Sequence, residues 1–346
     1  MKAAIIEKPN ILAVRDIPVP PIGEYDALCE MLYGATCVGT DWSLISGRLP
    51  VKYPAVLGHE SIGRVVEIGN RVKNFKINDV ITRVGTPASL DGKFGVCWGG
   101  FVEYGIARDH WAMCQDGLPD QQWKSFRINQ IVPPDIDPAA ATMFITWRET
   151  LSYLKRMGLS SGSRVLITGS GGDGLAFAVH SKNLGSEQVV MIGNDARRNI
   201  AHTVGVTDYF NYKMDRAVEQ ISQKYPQGFD FIIDAVGKKG LADSILRVLK
   251  PGGIIGIYGI EDYGQSLLNP TNSRGTFTCY NGGYDEAETH EEVISFTRRG
   301  LLDARLWLDF DNIFNLNSIN DAFEAVRKRQ MVKALIQLSY FRRKQL

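Results

Sequence analysis

The sequence has few cysteines, and no two of them are closely spaced. Five are present, and none has C-x-x-C spacing: Cys29, Cys37, Cys97, Cys114 and Cys279. An odd number without close pairs argues against a disulfide framework and is typical of a reducing compartment. We therefore expect a cytoplasmic protein.

The sequence also lacks a charge excess and a long apolar run. It has 39 basic and 38 acidic residues, which gives a formal net charge of +1. Nothing in that balance favours nucleic acid or an anionic membrane surface as a partner. No apolar run approaches the ~20 residues of a membrane helix, and "MKAAIIEKPN" lacks the apolar stretch of a signal peptide. We expect no nucleic acid or membrane partner.

The chain of 346 residues is long enough for two domains, and its pattern changes along its length. Over the first ~110 residues, short segments such as "KAAIIE", "ALCEMLYGA" and "SIGRVVEIG" alternate apolar and polar residues between turns, which predicts an antiparallel barrel or sandwich. From residue 138 onward, strand-like runs such as "RVLITG", "QVVMIG" and "FDFIIDAVG" alternate with amphipathic helical segments. That alternation predicts a doubly wound parallel sheet, so the fold class is α/β.

A glycine-rich turn follows the first strand of the second region. The run "RVLITGSGGDGLAFAV" contains Gly169, Gly171, Gly172 and Gly174 in a G-x-G-x-x-G arrangement between a strand and a helix. In that context the glycines allow a tight turn and close approach of the backbone to a pyrophosphate, and the helix N-terminus attracts the phosphates. We predict a dinucleotide site here, with the Asp173 side chain facing away from the phosphates.

The end of the next strand bears on which dinucleotide binds. "VVMIGNDARRN" has Gly193 where a carboxylate would bind the ribose of NAD, and Asn194, Arg197 and Arg198 follow. A small residue leaves room for a 2′-phosphate, and guanidinium groups can pair with it, so the pattern favours NADP(H). The alternative is that both arginines are solvated and that Asp195 binds the ribose of NAD.

Together these segments resemble the medium-chain dehydrogenase/reductase family of alcohol, polyol and sugar dehydrogenases. The resemblance runs from residue 1 to about 338 through "GTD", "LGHESIGRVVEIG", "GGFVEYGIA", "LRVLKPGGIIGIYG" and "AFEAVRKRQMVKALIQL". It implies a GroES-like β-barrel catalytic domain at 1–140 and 296–346, a Rossmann domain at 141–295, and a homodimer or homotetramer. It also implies that Tyr212 lies near the adenosine, as in NADP-preferring members.

The zinc ligands of the family are only partly present. In zinc-dependent members a Cys directly precedes Gly-Thr-Asp, but here Val38 does, and Cys37 lies one place earlier. In an extended segment that shift turns the thiol to the opposite face. His59 and Glu60 match "GHE", while Thr142 stands near the third ligand position. We therefore expect no firm catalytic zinc, with His59, Glu60 and Cys37 as ligands if one binds. The family's second zinc, which needs four close cysteines, is excluded.

Without zinc, the resemblance implies that Thr40, His59 and Asp41 handle the substrate oxygen. Thr40 would donate through the family's hydroxyl relay, His59 would act as general acid or hydrogen-bond donor, and Asp41 would orient His59. The resemblance also implies that Trp42, Trp98 and Trp147 lie near the substrate site, with core packing as the alternative for each. We select Trp42 as the substrate contact, because it follows the relay residue directly.

Three functions stay open at this point. The first is an NADP(H)-dependent oxidoreductase that interconverts the alcohol and carbonyl of a small polyol, sugar or secondary alcohol. The second is a zinc-independent enone or quinone reductase, which Val38 and Thr142 favour. The third is a non-catalytic nucleotide-binding member, against which the intact glycine-rich turn argues.

Overall fold

The structure is a computed structural model that describes residues 1–87, 90, 92–214 and 216–339. The chain divides into two compact units. Unit 1 is Met1–Ile145 with Asp303–Leu346, and unit 2 is Thr146–Leu302. The domain boundaries proposed from the sequence lie five and seven residues earlier, and residues 340–346 lie outside the described part. In the described residues no helix is long and apolar enough to cross a membrane.

Both units contain strands and helices. In chain order the strands are β1 (Lys2–Lys8), β2 (Ile11–Asp16), β3 (Asp26–Ala35), β4 (Ala55–Val56), β5 (Glu60–Ile68), β6 (Val80–Thr82), β7 (Gly95–Val96), β8 (Tyr104–Arg108), β9 (Ile131–Val132), β10 (Arg164–Thr168), β11 (Gln188–Gly193), β12 (Asp208–Asn211), β13 (Phe229–Asp234), β14 (Leu249–Ile257), β15 (Thr278–Tyr280), β16 (Phe314–Asn315) and β17 (Leu335–Gln337). The helices are α1 (Val38–Ile45), α2 (His110–Gln115), α3 (Asp120–Trp123), α4 (Pro138–Ala141), α5 (Phe144–Arg156), α6 (Gly172–Asn183), α7 (Arg198–Thr203), α8 (Ala217–Lys224), α9 (Leu241–Ile245), α10 (His290–Arg298) and α11 (Ile319–Arg327).

Unit 1 is built on two mainly antiparallel sheets. One has the order β2-β1-β4-β7, and the other has the order β16-β17-β3-β5-β6-β9 with β8 also paired to β3. Because β17 pairs antiparallel with β3, the C-terminal segment completes the sheet that begins near the N-terminus. Apolar side chains from both sheets, from the end of α1 and from α11 form one buried core.

Unit 2 is a six-stranded parallel sheet in the order β12-β11-β10-β13-β14-β15. Its central strands are buried along nearly their whole length, as the apolar runs of an interior parallel strand require. The strand order reverses between β10 and β13, where α/β sheets bind ligands at the carboxyl ends of their strands. The predicted fold class, an antiparallel β domain with a doubly wound parallel sheet, is confirmed.

Candidate active site and dinucleotide site

Cys37, His59 and Glu60 form a buried cluster in unit 1. One potential ligand atom from each lies within 4.8 Å of the other two. His59 Nε2 is 4.0 Å from Glu60 Oε1. Zinc binds a thiolate, an imidazole and a carboxylate in this kind of set, so the three residues fit that ion.

The expectation that Cys37 faces away from its neighbours is wrong. It assumed an extended chain, whereas α1 begins at Val38, directly after Cys37. The backbone N–H of Asp41 donates to the Cys37 carbonyl at 2.8 Å, and the Cys37 N–H donates to Asp41 Oδ2 at 2.9 Å. Cys37 itself has extended dihedral angles, but the alternation of an extended chain ends where α1 begins at Val38. The thiol lies beside His59 despite its shifted position in the sequence.

Asp41 holds the imidazole of His59. Asp41 Oδ1 and His59 Nδ1 are 2.9 Å apart, and both side chains are buried. Because a carboxylate only accepts, Nδ1 carries the proton and Nε2 is directed to the cluster, as in the carboxylate–histidine pairs that orient metal ligands. Burial lowers the pKa of His59, but the Asp41 carboxylate and the Cys37 thiol outweigh burial and raise it well above its usual value.

Glu60 is held by a residue from the other end of the chain. Lys333 Nζ donates to Glu60 Oε1 at 2.6 Å and to Oε2 at 2.7 Å, and both side chains are buried. The pair links the start of β5 to the segment before β17. Our sequence reasoning missed Lys333, although a lysine inside the apolar run "VKALIQL" is a signal for a buried partner.

The aromatic residue beside the cluster is Trp98 rather than Trp42. The Trp98 and His59 rings have centroids 5.3 Å apart, and Trp98 is 45% exposed. The Trp42 ring instead packs under the Arg327 guanidinium at 4.4 Å, in a pocket of about 350 Å³ beside α11. Thr40 is half-buried in the first turn of α1. Of the two tryptophans, Trp98 is therefore the better candidate for an aromatic wall of the substrate site.

The glycine-rich turn of unit 2 has the geometry that a dinucleotide requires. Gly169 has φ +95°, and a Cβ on Gly174 would overlap the Gly169 carbonyl oxygen, so both positions need glycine. Gly171 caps α6, and a Cβ there would meet nothing within 4 Å. Gly172 opens the helix. The turn therefore presents open backbone at a helix N-terminus, which suits a pyrophosphate.

Gly193 is required by packing. A Cβ at this position would meet Ser170 Oγ at 2.5 Å and would overlap the Tyr209 hydroxyl. Ser170 Oγ in turn accepts from the Asn194 N–H at 3.0 Å. The small size of Gly193 is therefore explained by packing against Tyr209 and Ser170, and it is not by itself evidence for a 2′-phosphate.

Arg198 and Asp195 form an ion pair beyond β11. Arg198 Nη2 lies 2.6 Å from Asp195 Oδ1, and Nη1 donates to the Tyr209 carbonyl at 2.9 Å. The hydrogen bond from Arg198 lowers the pKa of Asp195. Arg197 is half-buried beside them.

Two more of the predicted cofactor residues lie around this ion pair. The Asn194 side chain accepts from the Ala196 N–H at 3.0 Å and so caps the short 3₁₀ turn Asp195–Arg197. Tyr212 is 48% exposed, and its N–H donates to the Gly193 carbonyl at 3.0 Å. The structure thus brings the predicted adenosine-side residues together at the ends of β11 and β12.

Comparison with known proteins agrees with this architecture. Residues 23–118 match the family described as alcohol dehydrogenase GroES-like domain, and residues 174–295 match the family described as zinc-binding dehydrogenase. The chain is 23% identical to D-arabinitol dehydrogenase 1 of Uromyces fabae, with 97% of each chain covered. It is 27% identical to the NADP-dependent isopropanol dehydrogenase of Clostridium beijerinckii, with 85% of this chain and 89% of the relative covered.

A solved structure shows the same fold over the whole length. Benzyl alcohol dehydrogenase from Acinetobacter calcoaceticus superposes with a TM-score of 0.82 at 16% identity, covering 98% of this chain and 99% of that one. The two matched domains, the relatives and this shared fold agree with one another. The chain belongs to the medium-chain dehydrogenase/reductase family, whose members are oxidoreductases that use NAD(P).

Proposed function

We propose that the chain is a zinc-dependent alcohol dehydrogenase that transfers a hydride between NADP(H) and the carbonyl or alcohol group of a small polyol, sugar or secondary alcohol. The observation that carries the proposal is the buried cluster of Cys37, His59 and Glu60 with Asp41 behind it. These three side chains would hold the metal, and the chemistry it would supply when bound is that of a Lewis acid toward the substrate oxygen. The alcohol and polyol dehydrogenases among the relatives support the substrate class.

The residues of this chain have separate roles in the proposed reaction. Asp41 fixes the Nδ1 proton of His59 and so keeps Nε2 directed to the cluster. Thr40 Oγ1 passes the substrate hydroxyl proton toward solvent. The exposed Trp98 indole, next to His59, offers an apolar wall for the carbon face of a polyol or sugar.

Metal analysis and turnover test the proposal together. Protein purified without chelators or a metal-affinity tag should contain about one zinc per chain by mass spectrometry, and it should reduce ketones with NADPH. Metal-free protein that reduces enones but not ketones would reject the proposal.

A specific observation favours the alternative, a zinc-independent enone or quinone reductase. Thr142 stands near the third ligand position of the family, and its Oγ1 is engaged with the Ala139 carbonyl at 2.8 Å. Lys333 also holds both carboxylate oxygens of Glu60. The zinc content of the purified protein separates the two functions.

Replacing Thr40 with alanine should lower turnover by about 10²–10⁴-fold, the usual contribution of a side chain that transfers a proton in the reaction. Zinc content and cofactor affinity should stay at the wild-type level, because Thr40 does not belong to the ligand cluster. Ser46→Ala, at the other end of α1, is the matched control. Unchanged steady-state turnover in Thr40→Ala would remove Thr40 from the relay.

Arg198→Ala should raise KM for NADP(H) on the order of tenfold and leave KM for NAD(H) nearly unchanged. The 2′-phosphate would compete with Asp195 for the guanidinium, and a charge-assisted bidentate pair has that order of strength. Arg247→Ala is the control, because Arg247 is an exposed arginine of unit 2 paired with Glu219. A wild-type chain with the lower KM for NAD would overturn the NADP preference and assign the ribose to Asp195.

A further inference from the structure

Tyr258 lies at the carboxyl edge of the parallel sheet, on the side away from the adenosine-side residues. It follows β14 directly, and its N–H donates to the carbonyl of Asp234 at the end of β13 at 2.9 Å. Gly193, in contrast, ends β11 on the other side of β10. A dinucleotide with its pyrophosphate at the turn after β10 spans the point where the strand order reverses, so its nicotinamide half belongs over β13 and β14.

A buried carboxylate accompanies Tyr258 at this edge. The Tyr258 hydroxyl donates to Glu149 Oε2 at 2.8 Å, and Glu149 is only 8% exposed in α5. The ring of Tyr258 is fixed by edge contacts with Phe177 at 4.9 Å and with Tyr153 at 5.3 Å. Glu149 is therefore held in a defined position by a side chain that is itself fixed.

Asp173, the second residue of α6, is a further negative charge that acts on Tyr258. Burial, then the charge of Glu149, then Tyr284 and Asp173 raise the pKa of Tyr258 well above its usual value. Asp173 lies directly after the glycine-rich turn. Glu149, which is buried, is the carboxylate in hydrogen-bond contact with Tyr258 at the end of β14.

The oxidised and reduced forms of a nicotinamide dinucleotide differ in charge at the ring. The oxidised ring carries one positive charge, and the reduced ring is neutral. At an effective dielectric constant of about 20, a carboxylate about 10 Å from that ring favours the oxidised form by a factor on the order of ten. The carboxylate and phenol oxygens can also accept from the carboxamide NH₂ group.

We propose that Glu149, held by Tyr258, is an electrostatic specificity residue that makes this chain bind the oxidised dinucleotide more tightly than the reduced one. The proposal rests on the proposed dehydrogenase function, since it needs a dinucleotide at the sheet edge. At equal cofactor concentrations the chain would then be loaded mainly with the oxidised dinucleotide, the form that accepts a hydride from an alcohol.

The test compares dissociation constants rather than turnover. NADP⁺ and NADPH are titrated by calorimetry, with NADPH fluorescence as a second measurement for the reduced form, and 2′-phospho-ADP-ribose serves as the probe without the nicotinamide ring. Glu149→Gln keeps an acceptor for the Tyr258 hydroxyl but removes the charge. We expect this variant to bind NADP⁺ about tenfold more weakly relative to NADPH. Its dissociation constant for the nicotinamide-free probe should stay within twofold of the wild-type value.

Two further variants complete the experiment. Tyr258→Phe should shift the NADP⁺ to NADPH ratio in the same direction by less, because Glu149 keeps its charge and loses its partner. Glu292→Gln is the matched control, since Glu292 is a carboxylate paired with Lys155 at the surface of unit 2.

The result that would contradict this inference differs from the result that would contradict the proposed function. An unchanged ratio in Glu149→Gln, or equal weakening of the nicotinamide-free probe, would overturn the inference and leave the dehydrogenase function standing. If the wild-type chain bound neither the dinucleotides nor the fragment, with NAD⁺, NADH and ADP-ribose included, the proposed function would fail as well.

Discussion

Cys37→Ala is expected to lose bound zinc and to lower turnover by at least ~10²-fold. Cys37 supplies the thiolate of a three-residue cluster, and its removal leaves one imidazole and one carboxylate that Lys333 already holds. Changes to outer-shell partners alone cost about 10–100-fold in metal affinity, so loss of a ligand should cost more. Zinc per chain and ketone reduction measured on the same preparation check the result.

The control for this variant is Cys29→Ala. Cys29 is also a buried cysteine of unit 1, but it lies within β3 and its thiol donates weakly to the Ala27 carbonyl. It should keep zinc and turnover while losing a little stability from the smaller side chain. If Cys37→Ala behaved like Cys29→Ala in both measurements, the thiol would have no role as a ligand.

The fold was predictable because each unit has its own hydrophobic period. Strands such as β10, β11 and β13 are apolar on both faces, and the helices between them are amphipathic, which specifies a parallel sheet. Strand lengths were less predictable. The segment "DVITRVG" at residues 79–85 alternates in the same way as the predicted strands of the first region, yet only Val80–Thr82 is a strand. Pairing with neighbouring strands, rather than alternation, decides where a strand ends.

The glycine-rich turn could be located from the sequence, whereas the geometry of the metal cluster could not be predicted from it. Gly169 and Gly174 are fixed by local backbone geometry, which a motif records directly. The position of the Cys37 thiol depends on where α1 begins, and a shift from extended to helical backbone at one residue redirects a side chain. The Lys333–Glu60 pair joins residues 273 positions apart, and no local pattern reports it.

Gly193 shows a different limit of the sequence. Its small size suggests room for a ligand, but the Tyr209 hydroxyl and Ser170 already explain why no larger side chain fits there. A glycine at the end of a strand is compatible with both explanations, and only the neighbouring side chains distinguish them. Measured KM values, rather than the sequence, are therefore needed to identify the group that binds a 2′-phosphate.

Lys333→Met is expected to destabilise metal-free protein by about 3–5 kcal/mol, the usual cost of leaving one partner of a buried ion pair uncompensated. Lys333 Nζ donates to both carboxylate oxygens of Glu60, a residue that is 2% exposed. Methionine fills a similar volume, so the loss should be electrostatic rather than a cavity effect. The apparent free energy of unfolding in urea, measured after chelation, gives the size of the effect.

The double variant Glu60→Gln with Lys333→Met distinguishes charge burial from packing. Removing both charges removes the desolvation problem, so the double variant should be more stable than Lys333→Met alone. Lys328→Met, an exposed lysine near Glu324, should change the free energy of unfolding by no more than about 0.5 kcal/mol. Zinc should stabilise Lys333→Met more than wild type, because in the variant Glu60 no longer has to leave Lys333 to become a ligand. Equal stabilisation of the two proteins by zinc would show that Glu60 stays with Lys333 and that the metal uses other groups.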